Sequence, residues 1–265
     1  KLLADPPLPL EDLEAISGGG LLHKRALVLE PARIISGLLD NVRVRTGTVE
    51  ISLQDRLVNA EVFDIIVLAT AMETNRQLGW VGLEGRLGQV ESVADATPVQ
   101  AEAMASGHYA LALEDQRLWG ATFKKIEDGI PAATSAAARA TNADALRQLS
   151  PWWQRSATSL PAQSRAAIRA TTADRLPLVG AVPDYSAALE TFSGMRKGRP
   201  VDADAPVLPG IFMVNGFGAR GFTWGPWAGE ILAGQILEEP APATEPALEA
   251  VSPMRLILRA LKRGG

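Results

Sequence analysis

The chain has 265 residues, 47% of them hydrophobic and 21% charged, which is enough apolar material for one or two packed cores and excludes a disordered or collagen-like chain. Its 26 Lys and Arg against 30 Asp and Glu leave a net charge of −4, so no global field draws it to a polyanion and any nucleic-acid contact must come from a local patch. Zero cysteines exclude disulfides, thiolate nucleophiles, Cys-ligated zinc and iron–sulfur clusters. The longest apolar runs, such as Ile65 to Ala69, fall short of the roughly 20 residues of a membrane-spanning helix, and Asp5, Pro6, Pro7 and Pro9 interrupt the stretch an export signal needs. A cytoplasmic chain is the expectation. The sequence opens on Lys1 rather than Met and reads as a piece of a longer protein.

Leu10 to Ile16 has helical spacing and stops at Gly18-Gly19-Gly20, a turn or flexible joint. That run is not read as a dinucleotide loop, because no strand-to-helix context surrounds it. Pro31 opens a helix running to about Leu39, where its missing N–H is not needed. Val42 to Arg45 alternates as a strand, Val49 to Leu53 is a second, and Phe63 to Ala69 is a β-branched run suited to a buried sheet position. Gln89 to Val93, Tyr109 to Leu113 and Leu118 to Phe123 then form an antiparallel set, with Glu114-Asp115-Gln116 as the turn between the last two. Ser135 to Leu149 is an Ala-rich helix ended by Ser150-Pro151. Ala166 to Ala170 and Leu178 to Val182 are further strands, and Gly194 to Pro209 is a surface excursion. Ile211 to Val214 is a strand, followed by the glycine-dense turn Asn215 to Gly221 and a helix from Phe222 to Leu237. A short basic helix, Met254 to Arg263, closes the chain.

A few residues stand out as chemistry. Gly216, Gly218 and Gly221 let backbone come close to a flat ligand while the next helix aims its positive dipole end at it; the same three glycines also suit a plain tight turn. Arg169 shares a strand face with Ala167 and Thr171, and its planar fork suits capture of a carboxylate, or else a structural ion pair. Tyr109, one of two tyrosines, suits either a substrate hydrogen bond or core packing. His23 and His108 lie far apart, so neither a metal site nor a Ser/His/Asp triad is expected. Trp224 with Trp227, and Trp152 with Trp153, read as core. Arg255, Arg259, Lys262 and Arg263 give the last helix one basic side, either a solvated face or a set of phosphate contacts to RNA.

Three segments, in this order, resemble the FAD-dependent D-amino-acid-oxidase-like superfamily. Phe63 to Ala71 resembles the strand ending in Ala-Thr-Gly near the dinucleotide, with Ala71 in place of the glycine. Arg169 to Gly180, R-A-T-T-A-D-R-L-P-L-V-G, resembles its R-P-x-T-x-D-x-x-P-x-x-G, and Gly216 to Pro226 resembles its flavin-facing turn and helix. Within it, residues 169–185 and 218–232 and the S-P-M-R at 252–255 are most similar to the oxidase half of the bifunctional enzymes that modify the tRNA wobble uridine. The βαβ unit with the pyrophosphate-binding G-x-G-x-x-G that opens such proteins is missing, as is the methyltransferase half, which implies a carboxyl-terminal fragment.

The resemblance implies a mixed α/β fold, an incomplete Rossmann-like FAD domain with an inserted antiparallel substrate sheet. Residues 1–87 are expected to be part of the FAD domain, 88–170 the substrate domain, 171–239 the rest of the FAD domain, and 240–265 a basic tail. Val49, Ala69, Thr70 and Ala71 are implied on the dinucleotide, and Gly216, Gly218, Ala219, Arg220, Gly221 and Phe222 on the flavin. Arg169 is implied to clamp the substrate carboxylate, with Tyr109 assisting. The implied reaction removes the carboxymethyl group of a carboxymethylaminomethyl wobble uridine by hydride transfer to FAD and hydrolysis of the imine. Its partners are then tRNA and a methyltransferase domain of the same full-length chain, with no membrane and no metal. Two alternatives stand: a glycine- or sarcosine-type oxidase of free small molecules, and a non-catalytic RNA-binding or assembly fragment.

Overall fold

A computed structural model of the chain describes residues 13–16, 20–95, 103–149 and 162–264. In chain order the strands and helices are β1 (Leu13–Ile16), β2 (Gly20–His23), α1 (Pro31–Leu39), β3 (Ile51–Ser52), β4 (Leu57–Val58), β5 (Glu61–Val62), β6 (Ile66–Leu68) and α2 (Thr74–Gln77). The middle of the chain holds β7 (Glu84–Ala94), β8 (Ala103–Ser106), β9 (His108–Ala112), β10 (Gln116–Gly120), β11 (Lys124–Ile126), α3 (Ala136–Leu149) and β12 (Gln163–Thr171). After these come β13 (Leu178–Pro183), α4 (Tyr185–Thr191), β14 (Val207–Asn215), α5 (Gly221–Leu237), α6 (Glu245–Val251) and α7 (Met254–Lys262). The fold is mixed α/β with an antiparallel sheet inserted into a Rossmann-like region. Two compact units divide it: the described parts of Lys1–Thr46, Gly88–Phe123 and Ala132–Ala167, and then Gly47–Leu87, Lys124–Pro131 and Ile168–Gly265.

In the first unit β7, β10, β9 and β8 pair antiparallel in that order, with Leu113 N–H donating to Gln116 O at 2.8 Å to close the expected β9–β10 turn. Alternation along these strands buries Val93, Ala110, Ala112 and Trp119 on one face, where Leu146 of α3 packs. Ser135 caps α3 by accepting from Ala138 N–H at 3.1 Å. Among the described residues of this unit, one carboxylate, Glu91, has no solvent exposure. It accepts from Gln89 Nε2 at 2.8 Å, from Asn142 Nδ2 at 3.2 Å and from the Ser164 hydroxyl, and pairs with Arg139 at 3.3 Å. Residues of β7, α3 and β12 therefore meet on one buried charge. Helix α1 forms where Pro31 predicts it, and all nine of its residues are exposed.

In the second unit β14 is the centre of a three-stranded sheet, antiparallel to β13 and parallel to β6. Ile66, Leu68, Leu178, Val182, Ile211 and Met213 form its core. Helix α5 packs on β13 and β14, burying Ala228, Ile231 and Leu232. Helix α7 spaces Met254, Ile257 and Leu261 onto one face, which packs with Ala188 and Phe192.

Several sequence expectations are corrected. Residues 13–16 are a strand paired with β2 rather than the end of a helix, and residues 10–12 lie outside the described set. Val42 to Arg45 is irregular rather than a strand. The strand expected over Val49 to Leu53 shrinks to Ile51–Ser52, and that over Phe63 to Ala69 shrinks to Ile66–Leu68, where Val67 stays 39% exposed and only the alternate residues are buried. Periodicity does not separate a strand buried on both faces from one buried on a single face. The excursion at 194–209 contains a 3-10 turn at Ser193–Lys197 and ends where β14 begins at Val207. Trp224 and Trp227 are half-buried, rings 5.4 Å apart, rather than core. Trp152 and Trp153 lie outside the described residues. No helix among the described residues is long and apolar enough to cross a membrane.

Candidate functional site

The parallel pairing of Ile66, Val67 and Leu68 with Ile211, Phe212 and Met213 brings the carboxyl ends of β6 and β14 side by side. In an open α/β sheet that is where ligands bind, because two chains leave the sheet there with their turns facing the same opening. Beyond β6 come Ala69 and Thr70, both exposed, then Ala71 at φ +48°. That left-handed backbone is one glycine adopts without strain, which accords with the glycine that the resembled Ala-Thr-Gly motif has where this chain has Ala71.

Beyond β14 the chain turns through Gly216 at φ +76° and Gly218 at φ +57° into α5. A Cβ on Gly216 would lie 3.0 Å from Thr172 Cγ2, a tight contact that Thr172 would have to ease by a few tenths of an ångström, so packing as well as φ favours glycine. Asn215 locks the two turns together. Its Nδ2 donates to Ala71 O at 3.1 Å and Thr74 Oγ1 at 2.7 Å, while its Oδ1 accepts from Gly216 N–H at 2.7 Å. This residue is only 4% exposed and was not singled out from sequence, where an Asn before Gly signals nothing beyond a turn.

The end of β12 lies against the same turn. Thr171 bridges Phe217, and Gly218 N–H donates to Ala170 O at 2.9 Å. Arg169 stands two residues before Thr171 and on the same strand face; it is half-buried, with Nη1 shielded from solvent. Ala219, Arg220, Gly221 and Phe222 are exposed at the start of α5. The Arg220 side chain makes no cap to that helix, while its carbonyl accepts from the Thr223 and Trp224 N–H groups. Tyr109 is half-buried on β9 of the antiparallel unit, in register with Gly120. Val49 is 48% exposed, just before β3.

Two of the four basic residues expected on one side of the last helix are engaged by one acid. Arg255 is 6% exposed and forks onto Asp174, with Nε to Oδ2 at 2.9 Å and Nη2 to Oδ1 at 3.1 Å. Arg259 pairs with the same carboxylate. Burial raises the Asp174 carboxyl, but the Arg255 fork, the Thr172 hydroxyl and the Leu176 amide outweigh it and hold the group well below the usual carboxylate range.

The turn offers a direct test of fit to a flavin. Gly221, Gly225 and Gly229 recur every four residues along one face of α5, and a Cβ at each would meet nothing within 4 Å. A bare backbone face beside an uncapped helix start fits a flat, anionic ring. Among the described residues there is no second G-x-G-x-x-G turn for the pyrophosphate.

A strand, a glycine turn and a helix at the carboxyl ends of parallel strands define a dinucleotide-binding class of α/β protein. A family model described as FAD dependent oxidoreductase matches residues 4–235, and the chain belongs to this family, the D-amino-acid-oxidase superfamily. It is 35% identical over 204 residues to the tRNA 5-methylaminomethyl-2-thiouridine biosynthesis bifunctional protein MnmC of Burkholderia cenocepacia, covering 75% of this chain and 31% of that protein. It is 43% identical over 90 residues to the MnmC protein of Cupriavidus necator, covering 34% of this chain and 13% of that one. The chain thus spans less than a third of the length of these curated relatives. Among solved structures, iminodiacetate oxidase from Chelativorans sp. matches with a TM-score of 0.55 at 24% identity, over 79% of this chain and 53% of that one, a likeness of fold.

Proposed function

We propose that this chain supplies the flavin-ring side and the substrate arginine of an FAD-dependent oxidoreductase acting on the carbon–nitrogen bond of a carboxylate-bearing amine. The observation that carries the proposal is the meeting of β6, β14 and β12 at one pair of left-handed turns, tied by Asn215 and bridged from Thr171 to Phe217. Bound FAD would supply a two-electron acceptor for the C–H bond next to the substrate nitrogen. Arg169 would hold both carboxylate oxygens and so aim that carbon, a task of orientation rather than proton transfer. The uncapped start of α5 at Gly221 would stabilise negative charge developing beside the turn.

A free glycine-like amine is the substrate class favoured here, because Arg255 and Arg259, two of the four basic residues of the tail, are engaged by Asp174 rather than offered to phosphates. The similarity to MnmC proteins over three quarters of the chain supports a second reading, the same glycine-like group carried on a tRNA wobble uridine in the cytoplasm, with a methyltransferase domain in a longer polypeptide.

The test is flavin absorbance of the purified protein, followed by oxygen uptake with glycine, N-methylglycine, iminodiacetate and tRNA bearing carboxymethylaminomethyluridine. A flavin spectrum with turnover of one of these is expected. Replacing Arg169 by Ala should lower kcat/KM by on the order of 100-fold or more, through the loss of a charge-assisted bidentate pair. A protein without flavin and without turnover on any of the four overturns the proposal.

A further inference from the structure

Arg255 stands on α7, well beyond the glycine turn in sequence. All five of its N–H donors are engaged: Nε and Nη2 on Asp174, Nη2 again on Leu176 O at 2.8 Å, and Nη1 on Val251 O at 3.0 Å and Ser252 O at 3.1 Å. Asp174 in turn accepts from Leu176 N–H at 3.1 Å, and the Thr172 hydroxyl lies 2.8 Å from Asp174 Oδ1 and 2.7 Å from Leu176 O, with one proton to give to either. The 172–176 turn is therefore closed on itself through one carboxylate, and that carboxylate is held by the last helix.

Thr172 is also the wall of the glycine turn. Its Cγ2 sits 3.0 Å from the position of a Cβ on Gly216, and the adjoining Thr171 places Oγ1 3.3 Å from that of a Cβ on Gly218. The chain of contact runs from Arg255 to Asp174, from Asp174 to Thr172, and from Thr172 to Gly216, all within the second unit. We infer that Arg255 and Asp174 are positioning residues, setting the shape of the flavin-facing turn from the carboxyl-terminal helix. The inference rests on the reading of that turn given under the proposed function. It assigns the tail helix to the cofactor site rather than to nucleic acid.

Arg255→Lys keeps the charge but loses the fork, and Asp174→Asn keeps the shape but loses the charge. Leu261→Ala, on the same helix with its side chain in the α4–α7 cluster, serves as the comparison because it weakens packing without touching Asp174. Amide hydrogen exchange on the full chain reads the turn directly. Arg255→Lys and Asp174→Asn are expected to speed exchange of Leu176 and Gly218 by at least about 10-fold relative to the centre of β14, whereas Leu261→Ala speeds both regions alike. Equilibrium dialysis with FAD should show roughly 5- to 20-fold weaker retention in the two clamp variants, the scale of losing one oriented contact.

Acceleration at Leu176 with Gly218 unchanged overturns the inference, since the clamp would then shape only its own turn. Equal acceleration by Leu261→Ala at Gly218 alone also overturns it. A wild-type protein that takes up no FAD overturns the functional reading, while the exchange comparison still decides the positioning claim by itself.

Discussion

Glu91 in the antiparallel unit and Asp174 in the parallel-strand unit are a fully buried and a partly buried carboxylate, and they are held by different kinds of partner. Glu91 has no exposure and takes its hydrogen bonds mainly from neutral groups, Gln89, Asn142 and Ser164, with the half-exposed Arg139 at its edge. Asp174 is partly open and is gripped by a buried guanidinium fork from a helix about 80 residues away in sequence. The first arrangement joins a strand, a helix and a second strand into one body. The second pins a single turn against the cofactor-facing glycines. A buried charge surrounded by neutral donors holds layers together, whereas a charge paired by a planar fork fixes the orientation of a loop.

Breaking the first arrangement should have the largest effect. Glu91→Ala leaves the Gln89, Asn142 and Ser164 donors and the Arg139 charge without their acceptor, and is expected to lower unfolding free energy by about 3–5 kcal/mol in urea titration. A loss under about 1 kcal/mol would show that the network is replaceable by water and would erase the contrast. Gly216→Ala comes next: a left-handed φ and a Cβ 3.0 Å from Thr172 Cγ2 should cost about 1–3 kcal/mol, with FAD retention falling further than stability does.

Acid titration sharpens the second arrangement. The folded-state pKa of Asp174 is depressed, so the stability from its ion pair is complete above the unfolded value of about 4 and is lost as pH falls below it toward the folded value. The urea midpoint of the wild type should therefore drop between roughly pH 5 and pH 3, and Asp174→Asn should be less stable at neutral pH and flatter over that interval. An unchanged acid slope in the variant would remove Asp174 as the cause. The smallest effect is expected of Ala71→Gly. Relief of a left-handed alanine is offset by the greater freedom of unfolded glycine, leaving a gain of zero to about 1 kcal/mol.

Much of the second unit was legible along the chain. The strand at 211–214, the glycine turn and the helix after it lie where hydrophobic periodicity and glycine spacing predicted, as do the β9–β10 turn and helix α3. Short strands were less legible. Phe63 to Ala69 is mostly apolar, yet β6 pairs with β14 and buries only Ile66 and Leu68, and Val42 to Arg45 alternates without forming a strand.

What the sequence determined by itself was local: helix starts at Pro31 and Ser135, the turn chemistry of Gly216 to Gly221, and the motifs that carry membership of the FAD-dependent family. Tertiary structure alone decided that Asn215 joins the ends of β6 and β14, that Glu91 is fully buried, and that Arg255, buried, and Arg259, exposed, both pair with Asp174. The reason is physical. Helix and turn preferences depend on neighbours within a few residues, whereas the partner of a charge or an amide is set by which distant segment the packed sheet brings within hydrogen-bond reach.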